Sequence, residues 1–203
     1  MQEKSQIAVV DDDPAVLRGL TRLLTNNGWT VQTFESPRDL LDAIKTLAPS
    51  CVVADVAMPG LSGLDLQERF AADGCDCPMV FITGHADVRA SVRAMRAGAV
   101  DFLTKPFEAT ELLAAVRRAL RRAEQLRAAH CELACTRERF ASLTQRERDV
   151  FEQVVAGFLN KQIAANLGIS EKTVKVHRAR VMRKMYARSV VSLGRVAEQM
   201  GMH

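Results

Sequence analysis

A short apolar run that ends in a single carboxylate, Cys51-Val-Val-Ala-Asp55, constrains the fold of this chain more than any other stretch. Turn-forming residues follow it closely, from Met58-Pro-Gly to Ser-Gly63. Short β-branched runs bounded by such residues are typical of buried strands in parallel sheets. Open α/β sheets bind ligands at the carboxyl ends of their strands, where this pattern places Asp55. A carboxylate there serves as a metal ligand or as a nucleophile.

Four further strand-like runs alternate with segments of helical periodicity in the first half of the chain. These runs cover residues 7–10, 30–34, 79–83 and 100–104. Asp13 followed by Pro14, and Ser36 followed by Asp39, have the residue types that begin helices. Alternating strands and helices of this kind predict a doubly wound α/β fold with a five-stranded parallel sheet.

Polar residues stand at the carboxyl ends of four of the predicted strands: Asp11 and Asp12, Asp55, Thr83, and Lys105. Because such ends meet at one edge of a parallel sheet, we expect these side chains to lie close together. Several carboxylates in one place need a cation, and Mg²⁺ prefers oxygen ligands. A metal ion with a lysine and a hydroxyl is suited to phosphoryl transfer, with Asp55 as acceptor. The alternative is that the aspartates only cap a helix and that Thr83 and Lys105 are ordinary polar residues.

The same residues form a joint motif: Val-Val-Asp11-Asp12, Asp55-x-x-Met-Pro-x-x-x-Gly63, Thr83-Gly and Lys105-Pro106. Over residues 4–122 this motif resembles the receiver domain of bacterial two-component response regulators. The resemblance implies a CheY-like fold with flavodoxin-like strand order. It also implies that Asp55 accepts a phosphoryl group from a sensor histidine kinase.

Further roles follow from this resemblance. Asp12, Asp55 and the backbone carbonyl of Ala57 would bind Mg²⁺ (or Mn²⁺), and Asp11 would contribute through water. Thr83 and Lys105 would contact the phosphoryl oxygens, and Phe102 would be the aromatic residue that rotates on activation. The Lys105–Pro106 peptide would be cis.

Charge is distributed unevenly along the 203 residues, which suffice for two small domains. Residues 1–120 contain 12 Lys and Arg against 16 Asp and Glu, whereas residues 121–203 contain 16 against 8. A basic second half suggests a polyanionic partner, although a solvated helical surface would have the same composition.

Targeting signals and cysteine patterns are also informative. The first fifteen residues do not resemble a signal peptide, and no run reaches ~20 apolar residues. We therefore expect a cytoplasmic protein without membrane association. The five cysteines have no zinc-ribbon spacing, so reduced thiols are the favoured interpretation and a metal or redox site is the alternative.

A long helix is predicted from residue 108 to residue 139, which contain neither Gly nor Pro. Its apolar positions become sparse after Leu126, so residues 123–138 are predicted to be a helical linker. The apolar stripe either packs on its own domain or forms a helical dimer contact. Regular heptads are absent, so no coiled coil is predicted.

Residues 139–203 have the pattern of an all-α, four-helix domain with a helix-turn-helix. Thr144 and Glu147 form a capping-box pattern, and Gly168 separates a short helix from one that Ser170 caps. The helix after Ser170 is rich in basic residues, as major-groove helices are.

The two faces of this basic helix differ. Val174, Val181 and Met185 follow core spacing, while a basic outer face with small residues suits the major groove. His177 is either a buried spacer or a phosphate donor. The predicted DNA-contacting residues are Lys172, Thr173, Lys175, Val176, His177, Arg178, Ala179 and Arg183.

Three motifs in order, Thr144-x-Arg-Glu147, Asn160-Lys-Gln-Ile-Ala and Thr173-Val-Lys-Val-His177, resemble the LuxR-type DNA-binding domain. Together with the receiver motif, the chain resembles transcription regulators of the FixJ/NarL class. This resemblance implies that phosphorylation promotes receiver dimerisation and binding of the homodimer to double-stranded promoter DNA, without enzymatic turnover. The alternatives are an aspartate-nucleophile phosphatase and a DNA-binding module that works without phosphorylation.

Overall fold

A computed structural model describes residues 5–84 and 88–202 of the chain. The chain divides into two compact units, residues 1–126 and residues 127–203. We describe each unit by itself. Within the described residues, no helix combines the length and the apolarity that a membrane span requires.

The first unit alternates strands and helices along the chain. In order these are β1 (Gln6–Val10), α1 (Pro14–Asn26), β2 (Thr30–Phe34), α2 (Pro37–Leu47), β3 (Cys51–Asp55), α3 (Gly63–Ala72), β4 (Met79–Thr83), α4 (Val88–Arg96), β5 (Asp101–Thr104) and the start of α5 (Ala109–Ala141). The strands form one sheet in the order β2-β1-β3-β4-β5, and all pairs are parallel. The predicted doubly wound fold with flavodoxin-like order is thus confirmed.

Helix starts in this unit follow the side-chain chemistry predicted from the sequence. The Asp13 carboxylate accepts a hydrogen bond from the backbone amide of Ala15, next to Pro14 at the first helical position. The Ser36 hydroxyl accepts from the amide of Asp39, and Ser62 and Asp65 form a complete capping box. These contacts satisfy amides that a helix start leaves unpaired.

Two apolar clusters cover the two faces of the sheet. One cluster includes Ile7, Val9 and Val53 together with residues of α1 and α5, and the other includes Val10, Val52 and Phe81 together with residues of α2, α3 and α4. β3 and β4 are buried along their whole length. The continuous apolar runs in the sequence reflect this burial on both faces.

The second unit is helical. It contains the end of α5, then α6 (Gln145–Val155), α7 (Asn160–Leu167), α8 (Glu171–Lys184) and α9 (Val190–Gln199). Its core includes Leu143, Phe151, Ile163, Val174 and Leu193. The predicted capping box of Thr144 and Glu147 forms, and Gly168 ends α7 with φ of 65°. The positive φ explains the glycine, because other residues adopt it at a cost.

Candidate functional sites

The sheet register brings the predicted polar residues to one edge of the first unit. Val10 pairs with Ala54, so Asp11 and Asp55 are the next residues on two adjacent strands. Thr83 pairs with Thr104, so Lys105 follows directly on β5. The amide of Lys105 donates to the carbonyl of Thr83 over 2.7 Å, which extends the pairing of the two strands by one residue.

The Lys105 ammonium bridges two buried carboxylates at this edge. Its Nζ lies 2.8 Å from Asp55 Oδ1 and 2.9 Å from Asp11 Oδ2. Asp11 is 1% exposed and Asp55 is 5% exposed. Partial burial lowers the pKa of the Lys105 ammonium, but the hydrogen bonds and charges of Asp55 and Asp11 outweigh burial, so this pKa lies above its ordinary value. The lysine therefore stays charged at neutral pH.

Backbone amides hold the other oxygens of the two carboxylates. The amide of Ala57 donates to Asp55 Oδ2 over 2.6 Å, and the amide of Asp13 donates to Asp11 Oδ1 over 2.9 Å. Each carboxylate thus has one oxygen fixed by the backbone and the other directed at the ammonium. These contacts hold both side chains in fixed orientations.

The donor chemistry of this edge suits a hard divalent cation. Asp11 and Asp55 each direct one oxygen at the Lys105 ammonium, and carboxylate oxygens are the ligands that Mg²⁺ prefers. Asp12 is exposed, in contrast to its neighbour. Among residues 5–84 and 88–202, no three His, Cys, Asp or Glu side chains are grouped so that they could hold a metal ion.

The predicted switch residues lie on β4, which pairs with β3, and on β5, which pairs with β4. The Thr83 side chain at the end of β4 is buried. Phe102 on β5 is half-buried, and its ring centre lies 6.4 Å from that of Phe81, with the rings tilted by 49°. The Lys105–Pro106 peptide is cis, as the receiver resemblance implied.

In the second unit, α8 has one buried face and one exposed face. Val174, Val181 and Met185 are buried, as their spacing predicts. His177 is half-buried, and its Nδ1 atom is buried without a hydrogen-bond partner among the described residues. Thr173 is half-buried, and its hydroxyl lies 2.8 Å from the hydroxyl of the cap residue Ser170.

The exposed face of α8 contains most of the predicted DNA contacts. The exposed residues on it are Lys172, Lys175, Val176, Ala179 and Arg183. Arg180 is also exposed there and was absent from the sequence prediction, although helical spacing from Val176 could have found it. Arg178 is half-buried, and its Nη1 donates to Asn160 Oδ1 over 3.0 Å. Arg178 therefore links α8 to the start of α7.

A partly buried ion pair joins α6 to the end of α8. Lys184 Nζ lies 2.6 Å from Glu147 Oε2, and it also donates to the carbonyl of Ser142 over 3.0 Å. The hydrogen bonds from Lys184 and from the Thr144 amide hold the pKa of Glu147 below its ordinary value. The sequence identified Glu147 as a capping residue only, because its partner lies 37 residues away.

We expect Glu147→Gln to lower the free energy of unfolding by about 2 kcal/mol at pH 7, because a charged hydrogen bond is lost from a buried site. The contribution of Glu147 is complete above the ordinary glutamate pKa, and it is lost as the pH falls through the depressed pKa of the folded state. Urea unfolding followed by circular dichroism at pH 7 and at acidic pH measures both effects. A difference between wild type and variant that stays constant into acid would contradict this assignment.

Two family models match the chain. The receiver-domain model of response regulators matches residues 7–117, and the model described as bacterial regulatory proteins of the luxR family matches residues 141–197. Receiver domains typically use a divalent metal ion. A receiver domain together with a LuxR-type domain implies a kinase partner and binding to DNA.

Full-length relatives match this chain over both its receiver and its LuxR-type regions. The response regulator protein TmoT of Ectopseudomonas mendocina is 44% identical over 98% of this chain and 90% of its own length. The transcriptional regulatory protein FixJ of Bradyrhizobium diazoefficiens is 44% identical over 100% of this chain and 98% of its own length.

Solved structures give the same result. The response regulator StyR is 41% identical, with a TM-score of 0.79 over 97% of this chain and 100% of that one. Full-length FixJ from B. japonicum is 43% identical, with a TM-score of 0.61 over the whole of both chains. The chain therefore belongs to the two-component response regulators of the FixJ/NarL class, which are phosphorylation-activated transcriptional regulators.

Proposed function

We propose that Asp55 is the residue that accepts the phosphoryl group, from a sensor histidine kinase. The observation that carries this proposal is the Lys105 ammonium between Asp55 and Asp11, both buried at the carboxyl edge of the sheet. A buried carboxylate whose second oxygen is held by the Ala57 amide presents its other oxygen in one orientation. Such orientation favours in-line transfer of a phosphoryl group.

We propose that Mg²⁺, which Mn²⁺ can replace, is held by Asp11, Asp12, Asp55 and the backbone carbonyl of Ala57. When bound, the metal ion neutralises charge that develops on the phosphoryl oxygens. Lys105 then contacts one phosphoryl oxygen, and Thr83 donates its hydroxyl to another. The proposal is supported by the two buried carboxylates of Asp11 and Asp55, which need a positive charge beside them, and by the exposed carboxylate of Asp12 next to Asp11 in the chain.

Activation is proposed to change the surface of α4, β5 and α5. Phosphorylation adds roughly −1.5 to −2 charges at the sheet edge. Thr83 moves towards this charge, and Phe102 rotates into the space that Thr83 leaves. Two receivers then associate through this surface, and the homodimer places two DNA-binding domains on a two-fold promoter site.

The proposed functions belong to separate domains, whose boundaries are those predicted from the sequence. We assign residues 4–122 to the receiver, 123–138 to a helical linker and 139–203 to the DNA-binding domain. In the last of these, the exposed face of α8 enters the major groove. Lys172, Lys175 and Arg183 supply charge to that face, and Val176 and Ala179 leave room for base edges. The half-buried residues Thr173, His177 and Arg178 flank this face and complete the set of proposed DNA contacts.

A phosphatase that uses an aspartate nucleophile is the competing function. Such enzymes use a second carboxylate two residues after the nucleophile as general acid, and this chain has Ala57 there. The Ala57 methyl group cannot transfer a proton. We therefore favour the regulator, which needs a lasting aspartyl phosphate rather than turnover.

Incubation with Mg²⁺ and acetyl phosphate is expected to add about 80 Da, the mass of one phosphoryl group, to the wild-type chain. The Asp55→Asn variant should gain nothing, because the amide cannot form the acyl phosphate. Intact mass spectrometry measures the gain, and sedimentation of the same samples measures dimerisation. A gain that persists in Asp55→Asn would show that another residue is the acceptor, and the proposal for Asp55 would fail.

Exposed lysines of α8 are expected to control DNA affinity. Lys172→Ala and Lys175→Ala should each weaken binding of the phosphorylated protein to duplex DNA. For each phosphate contact removed, the slope of the logarithm of the binding constant against the logarithm of the salt concentration should become shallower by about one. Titrations at several salt concentrations measure both the affinity and its salt dependence. The DNA is a duplex that the protein itself has selected from a random library. Arg22→Ala, on the exposed side of α1, is the control and should leave the affinity unchanged.

A further inference from the structure

The side chain of Gln67 connects α3 to the end of α4. Gln67 is 6% exposed, and its Nε2 donates to the carbonyl of Ala94 over 3.2 Å and to the carbonyl of Ala97 over 3.1 Å. Both carbonyls lie at the end of α4, where helix carbonyls lack partners within the helix. One buried amide thus serves two carbonyls of a neighbouring element.

The backbone of α4 ends in a Schellman arrangement beside this contact. The amide of Ala99 donates to the carbonyl of Ala94, and the amide of Gly98 donates to the carbonyl of Met95. Gly98 has a φ of 91°, as this arrangement requires. The carbonyl of Ala97, one residue beyond the helix, accepts from Gln67 Nε2. The Gln67 amide therefore adds a side-chain donor to the backbone hydrogen bonds that end α4.

Apolar packing contributes little to holding α4. Its nine residues contact the core mainly through Ala94, which is fully buried, and Ala90. The larger apolar residues are on the outside: Val88 is 75% exposed, Val92 44% and Met95 48%. Methyl groups bury little area, so hydrogen bonds make up a large share of what fixes this helix.

A second polar contact between α3 and α4 is weaker. Arg93 Nη2 lies 2.6 Å from Glu68 Oε1, but both side chains are more than half exposed. Exposed ion pairs contribute little to stability, because water screens them. Gln67 is the buried neighbour of Glu68 on α3 and is therefore the stronger anchor.

We propose that Gln67 is a positioning residue that fixes the C-terminal end of α4, so that activation moves mainly the other end of the helix, which follows β4 and Thr83 in the chain. Val88, Val92 and Met95 then reach one defined arrangement for self-association. This inference rests on the proposed function, because it concerns the same phosphorylation-dependent dimer. Without the anchor, α4 samples several positions, and dimerisation must order it at an entropic cost.

Two variants test the anchor. Gln67→Met keeps the length of the side chain and removes the donor, and Gln67→Glu keeps the shape and replaces the donor by an acceptor. Each protein is treated with Mg²⁺ and acetyl phosphate, the phosphorylated fraction is measured by intact mass, and the dimer dissociation constant by sedimentation. We expect an unchanged phosphorylated fraction and a dissociation constant raised about tenfold, from two lost hydrogen bonds. Glu68→Gln, which removes only the exposed ion pair, should behave as wild type.

Hydrogen exchange of the unphosphorylated proteins provides a second measurement. Amides 97–99 should exchange faster in both Gln67 variants than in wild type, while those of β3 should not change. The assignment of Gln67 as a positioning residue would be overturned if both Gln67 variants had the dimer dissociation constant and the exchange rates of wild type. A wild-type protein that is not phosphorylated, or that is phosphorylated without dimerising, would instead contradict the proposed function.

Discussion

Replacing Lys105 by methionine is expected to lower the free energy of unfolding of the first unit by about 3 kcal/mol at pH 7 in metal-free buffer. The ammonium lies 2.8 Å from Asp55 and 2.9 Å from Asp11, and both carboxylates are buried. Without it, two like charges on buried side chains lose the cation between them. Urea unfolding monitored by fluorescence of Trp29, the single tryptophan, reports on this unit.

Magnesium should restore most of the stability that Lys105→Met loses, because a divalent cation can neutralise the same two carboxylates. The wild-type protein should gain less from the same Mg²⁺ concentration, since its lysine already compensates them. Arg38→Met removes an exposed cation from the same unit and should change neither the stability nor the response to Mg²⁺. A Lys105→Met protein as stable as wild type without metal, or one insensitive to Mg²⁺, would refute this account of the site.

Gly63→Ala is expected to destabilise the first unit by about 3 kcal/mol, at the upper end for overpacking. A Cβ atom at residue 63 would lie 2.3 Å from the backbone oxygen of Asp55 and 3.1 Å from the ring of Phe81. The amide of Gly63 also donates to the carbonyl of Val56 over 3.0 Å, so α3 cannot simply move away. The clash therefore displaces Asp55 itself, and we expect slower phosphorylation by acetyl phosphate in the fraction that remains folded.

Gly19→Ala is the matched control for this substitution. Gly19 lies within α1, and a Cβ there would meet nothing within 4 Å. Alanine in a helix is more favourable than glycine by about 0.5–1 kcal/mol, so this variant should be stabilised. The same chemical change should thus have opposite signs at the two positions in Trp29-monitored unfolding. Equal changes in the free energy of unfolding at both positions would show that the contact with Asp55 does not determine the destabilisation by Gly63→Ala.

The strands and helices and their ends could be predicted from the sequence because the interactions that determine them are local. A strand buried on both faces needs a continuous apolar run, and residues 51–54 and 79–82 have one. Caps depend on side chains within three residues of the helix start, as for Thr144 and Glu147. The carboxyl ends of parallel strands share one edge of the sheet, so the polar residues at the ends of β1, β3 and β5 could be assigned to one site from the sequence.

Contacts between distant residues could not be predicted in this way. Nothing near Gln67 in the sequence indicates that its amide reaches the end of α4, and nothing near Glu147 indicates Lys184. Likewise, nothing near Arg178 in the sequence indicates that its guanidinium donates to Asn160. Local pattern shows which face of a helix a residue occupies, but the neighbouring element decides what the side chain contacts.

The sequence by itself determined the class of fold, the edge of the sheet where the chemistry is placed, and the helix proposed to meet DNA. These features follow from apolar periodicity, breakers and charge, which act over a few residues. Only the tertiary structure decided that Asp11 and Asp55 are buried and share Lys105 while Asp12 is exposed. It also decided that the Gln67 amide donates to two carbonyls at the end of α4. Burial and side-chain direction depend on packing between elements far apart in the chain, and no local pattern encodes them.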